Sequence, residues 1–200
     1  DLPRGFLKIF RGLLIEGLFI TEEGYHRTID EPNADWYIAG SDRLLPITNP
    51  GFVRRLRQYR VKNLGRKCDD IALGMLNEIQ EVFGKLLNAI NSRNHENLFL
   101  ILADALTMTL RLLSFVNHEP YTSLNSMISE AKQFKKKPRG FDKFVDPIID
   151  GRYYDLVTLG KCSRGLFSGI EEFFRKKYGR RIYDGDLSTI YRQKRIKQRR

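Results

Sequence analysis

Metal-binding and redox side chains are scarce in this 200-residue chain, which has three histidines and two cysteines. Cys68 and Cys162 lie far apart and match no zinc spacing, and the histidines are isolated, so the pattern argues against a zinc site. With nothing that needs an oxidising compartment, the expected location is cytoplasmic. No unbroken apolar run reaches the roughly 18 residues that span a bilayer, so no membrane partner is expected. The opening "DLPRGFLKIFRGLLIEGLFIT" has the basic-then-apolar look of a signal. Glu16 interrupts its apolar part and no small-residue cleavage site follows, so it reads as folded protein. An initiator Met is missing as well: the chain opens on Asp1-Leu2-Pro3, as though joined partway through a longer protein.

What is present is a chain able to fold. Hydrophobic residues make up 42%, with thirteen Phe, which excludes a chain disordered by composition. The net charge of +11 is uneven: residues 192–200, "RQKRIKQRR", hold six basic residues and no acid. Such a run is a solvated tail or a contact for nucleic acid or another polyanion. It has no interleaved aromatic on which a base could stack.

"LLIEGLFIT" (13–21) is short, aliphatic and interrupted by Gly17, which favours a strand, with "RGFLKIFR" (4–11) as its partner. "EEGYHRTI" reads as a short helix or turn, and "EPNADWYIAG" as a loop with the sole Trp. "DRLLPITNPG" carries two prolines and is extended. From Pro50 onward the pattern is helical. Residues 51–63 form a basic amphipathic helix, and 66–92 one long helix of about 40 Å. Residues 95–117 are apolar nearly all round and belong at the centre of a bundle. The helix over 121–134 has Thr122 or Ser123 as its cap. "GFDKFVDPIIDG" stops at Gly151, and the last helix, 154–179, is closed by Gly179 after Lys176 and Lys177.

At 100° per residue, Ile71, Ala72, Met75, Leu76, Ile79, Val82, Phe83, Leu86, Leu87 and Ile90 fill one arc of the 70–90 helix. Glu78, Glu81 and Lys85 share the opposite arc with Gly74. Glu81 and Lys85, four apart, have the favoured orientation of a weak solvated ion pair. Gly74 weakens that reading, because a glycine inside a helix costs about 1 kcal/mol against Ala and leaves room for a ligand or another backbone.

Several stretches, in order, resemble the aminoglycoside (kanamycin) nucleotidyltransferase family. They are "LLIEGLFITEE", "ADWYI", "EVFGKLLNAI", "YTS" (Tyr121–Ser123), "PRGFDKF…IIDG" (138–151) and the closing "IEEFFRKKYG". Together they cover most of residues 12–183. The resemblance implies an α+β, mostly α fold: a partial nucleotidyltransferase mixed sheet in 1–62, a C-terminal helical bundle in 63–185 and a basic tail in 186–200. It implies transfer of a nucleoside monophosphate from a Mg²⁺-bound nucleoside triphosphate to a hydroxyl acceptor, in a homodimer whose sites use both subunits. By the same resemblance Glu81 is the catalytic base, and Lys85, Ser123 and Thr122 lie on the nucleotide side. Glu78 and Glu16 lie on the substrate side, and Glu16 also belongs to the metal site. One departure puts the activity of these 200 residues in question. The Gly-Ser motif and paired aspartates that precede the Glu16 strand in the family are missing. "GSDR" (40–43) is no substitute, and Asp1 is at most a remnant.

Two other readings stay open. Arg111 and His118 enclose six residues, which fits the loose Arg-x(4–6)-His pattern of HEPN-type ribonucleases; loss of RNA cleavage in His118→Ala would favour it. A non-catalytic nucleotide- or partner-binding bundle is the other, and nucleotide binding without pyrophosphate release would favour that.

Overall fold

A computed structural model describes residues 5–30 and 44–179. The Asp-Trp stretch at 34–38, "GSDR", Asp1 and the basic run at 192–200 lie outside the described residues. Strands β1 (Gly5–Phe10) and β2 (Leu13–Leu18) pair antiparallel, from Gly5 opposite Leu18 to Phe10 opposite Leu13. The turn residues Arg11 and Gly12 both have positive φ, 49° and 78°, which is the backbone a two-residue hairpin turn needs to match strand twist. The expected pairing holds. The expected order, a small N-terminal sheet followed by a helical region, holds as well, and among the described residues the sheet is this two-stranded antiparallel hairpin.

Helix α1 (Glu22–Asp30) begins where the Thr21 hydroxyl accepts from Gly24 N–H at 3.0 Å. Helix α2 (Pro50–Gln58) is capped by the Asn49 side chain, which accepts from Phe52 N–H at 3.2 Å. It stops short of the expected residue 63. Tyr59 turns to extended backbone (φ −62°, ψ 134°), and its ring stacks on His26 of α1 at 3.9 Å. The Tyr59 hydroxyl donates to Asp30 Oδ2, and Lys67 Nζ donates to the Asp30 carbonyl, so the end of α1 is tied to the chain beyond α2.

The single helix expected over 66–92 is two, α3 (Leu64–Gly74) and α4 (Leu76–Asn91). Helical hydrogen bonds still run through the joint: Met75 N–H donates to Ile71 O at 3.0 Å and Ile79 N–H to Met75 O at 2.9 Å. The joint follows Gly74, a poor helix former, at Met75, whose ψ is −11°. Helix α5 (His95–Asn117) then returns alongside α4 after a short turn. Its bounds are those the sequence suggested.

Helix α5 packs against α3, α4 and α6 (Met127–Gln133), while α8 (Leu156–Tyr178) packs against α4 and α7 (Phe141–Ile149). Phe83 of α4 meets Phe144 of α7 and Phe167 of α8 with ring centroids 5.8 and 5.7 Å apart. One correction concerns α5. An 18-residue window of it has mean hydropathy 1.8, enough by length and composition to cross a membrane despite Asp104 and Arg111. Over half of that window is buried inside the bundle, as the central helix of a core requires.

Candidate functional site

Helix α4 turns Ile79, Val82, Phe83 and Leu86 into the core and leaves Glu78, Glu81 and Lys85 exposed, as the helical spacing requires. Lys85 Nζ lies 2.7 Å from Glu81 Oε1. The hydrogen bond from Lys85, and then its charge, holds the Glu81 carboxyl below its usual range. The Glu81 partner raises Lys85 in turn, with the Asp104 carboxylate adding to the effect.

These three side chains do not sit on a flat face. Asp104 and Met108, one turn apart on α5, close the other side of a depression of about 210 Å³ whose lining includes Val82. Three carboxylates and one ammonium leave it with two excess negative charges. Chemically, the arrangement offers an ionised carboxylate as proton acceptor and a neighbouring cation for an anionic group. It also offers two further carboxylates for hydroxyl or amine hydrogen bonds.

The sequence reading missed Asp104. The signal was there, since it is the one acid in α5 beyond the first turn of an otherwise apolar helix.

The other expected site residues lie elsewhere. Thr122 N–H donates to Glu130 Oε2 at 2.9 Å, and its hydroxyl donates to the same carboxylate. It lines a separate cavity of about 560 Å³ with Asn117, Glu119, Glu130 and Lys136. Ser123 Oγ is 3.0 Å from Ser126 Oγ. Neither residue caps α6 with its side chain, because a 3₁₀ turn, Leu124–Ser126, intervenes. Glu16 is exposed on the hairpin opposite Leu7. No group of three or more His, Cys, Asp or Glu able to hold a metal ion occurs among the described residues. A Mg²⁺ ion is held by one or two carboxylates together with substrate phosphates, and Glu16, the residue expected to hold it, stands on the exposed hairpin. His118 caps α5 in the left-handed conformation, and its Nε2 lies 3.1 Å from Asp69 Oδ1. Its ring is thus engaged in a junction between helices.

These features define a helical-bundle domain with a small charged depression between its two central helices. The family model described as the KNTase C-terminal domain matches residues 51–179, and the chain belongs to that family. No curated protein matches the chain.

Proposed function

We propose that the α4/α5 depression is the acceptor and phosphate face of a nucleotidyltransferase-like protein. In this reading Lys85 contacts the phosphates of a nucleoside triphosphate, and Glu81 takes the proton of an acceptor hydroxyl. The acceptor oxygen bonds to the α-phosphorus as its proton passes to Glu81, and the bond to pyrophosphate breaks. The observation that carries the reading is the convergence of Glu78, Glu81, Lys85 and Asp104 from two helices on one depression, in a chain of this family.

The ion pair gives the site an order of events. Free, Lys85 is occupied by Glu81. Phosphate oxygens compete for the ammonium, and a carboxylate that loses this partner becomes a stronger base. Glu78 and Asp104 stand on the acceptor side. A homodimer and a cytoplasmic setting go with the reading.

Glu81→Gln tests the assignment. It should keep nucleotide binding, because Lys85 is freed, and lose pyrophosphate release. Pyrophosphate release at the parent rate in this variant would remove Glu81 from the chemistry. Nucleotide binding by the parent with no release would mark the depression as a binding site without transfer.

A further inference from the structure

A second surface, apart from the α4/α5 depression, concentrates positive charge where the segment "KKKPR" (135–139) lies against the end of α8. The contact is backbone to helix. A Cβ built on Gly169 of α8 would sit 2.0 Å from the Arg139 carbonyl oxygen. Gly140, at φ 90°, also lies close to the backbone of Gly165 and Leu166, 3.0 Å from a Cβ placed there. At the other end of the segment the Asn117 amide clamps Lys136. Asn117 Nδ2 donates to its carbonyl at 2.8 Å, and Lys136 N–H donates to Asn117 Oδ1 at 3.1 Å. The basic segment is therefore fixed relative to α8.

Two adjoining cavities of about 370 Å³ each run between them. Lys136, Phe173, Lys176 and Lys177 line the first. The second shares Phe173 and Lys176 and adds Lys137, Pro138, Arg139 and Glu172. Lys136, Lys137, Arg139, Lys176 and Lys177 bring five cations to this groove. Three acids pair with them: Asp142 with Lys137 at 3.0 Å, Asp69 with Lys177 at 2.6 Å, and Glu172 with Lys176 at 2.8 Å. Two positive charges remain in excess. A basic last turn complements the negative end of α8, which accounts for Arg175, Lys176 and Lys177. It does not account for Lys136, which is exposed on a loop and makes no ion pair among the described residues.

We propose that this groove binds the phosphodiester backbone of a single-stranded nucleic acid. Spaced cations along two fixed walls match a chain of phosphates, and the half-buried Phe173 ring on the floor offers a surface for a base. A membrane surface fits less well. The site is a groove rather than a flat face, and the residues lining it include no exposed large apolar side chain to enter lipid.

The test is fluorescence anisotropy of the full chain with a labelled 20-nucleotide mixed-sequence RNA across a salt series. The parent binds, and the Lys136→Glu, Lys176→Glu double variant binds at least about tenfold more weakly. Its slope of log affinity against log salt is shallower by about 1.4, two contacts at about 0.7 each. A second pair, Lys136→Gln with Arg139→Gln, both exposed in the groove wall, gives the same result if the first folds poorly. A third variant with the six cations of 192–200 changed to Gln loses less than the groove variants. Parent-like affinity in the groove variants, or complete loss from the 192–200 changes alone, overturns the proposal. So does a parent that ignores RNA and binds phosphatidylserine vesicles.

Discussion

Asp69→Asn should loosen the bundle at a place where three distant segments share one oxygen. Asp69 Oδ1, on α3, accepts from Lys177 Nζ at 2.6 Å and Tyr178 Oη at 2.8 Å, both in the last turn of α8. It also lies 3.1 Å from His118 Nε2 at the end of α5. Burial by itself pushes the carboxyl up, but the hydrogen bonds from Lys177, His118 and Tyr178 outweigh it and hold it at about 2, against an ordinary 3.8. That difference corresponds to about 2.5 kcal/mol of folding free energy at neutral pH. With 32% of the side chain in solvent, screening brings it to about 1–2 kcal/mol. For a chain of this size the melting temperature should fall by roughly 2–8 °C.

The pH dependence has a definite sign. A depressed carboxyl contributes fully above its unfolded value and loses that contribution as pH falls from about 4 to about 2. Asn has none to lose. Thermal unfolding of parent and variant at pH 7, 4 and 2.5 should therefore show a gap that narrows with acid. A gap of less than about 0.3 kcal/mol at pH 7, or one that stays constant to pH 2.5, would refute the junction's role.

Two substitutions on α8 should have opposite signs. Gly165→Ala meets nothing within 4 Å and should stabilise by up to about 1 kcal/mol through helix propensity. Gly169→Ala drives a Cβ into the Arg139 carbonyl and should destabilise by about 1–3 kcal/mol; equal effects in chemical denaturation would contradict the packing described. Tyr121 is fully buried and donates to the Leu110 carbonyl at 2.7 Å. Tyr121→Phe should cost about 1 kcal/mol in a urea melt, and no measurable cost would mean the hydroxyl is satisfied otherwise.

The features legible in the sequence were those with local causes. Helix α5 is bounded by Asn94, whose side chain accepts from Asn97 N–H, and by His118 in the left-handed conformation. Helix α8 is bounded by Asp155 and by Gly179 at φ 65°. The stripe of Glu78, Glu81 and Lys85 came from helical spacing alone. The failures had tertiary causes. Tyr59 ends α2 where its ring stacks on His26, a partner on another helix. Thr122 is drawn to Glu130 instead of capping α6. Asp69 and Lys177 meet across 108 positions of sequence, which no local pattern encodes. Asp104 reaches the candidate site only because α5 folds back along α4.

The central claim is that the α4/α5 depression receives a triphosphate through Lys85, and equilibrium dialysis with ATP tests it most directly. Parent, Lys85→Ala and Lys161→Ala would be compared, Lys161 being an exposed cation of α8 outside the depression. The account predicts at least about a tenfold loss of affinity for Lys85→Ala, the size of a lost charge-assisted contact, and none for Lys161→Ala. Equal affinity in all three proteins would contradict it.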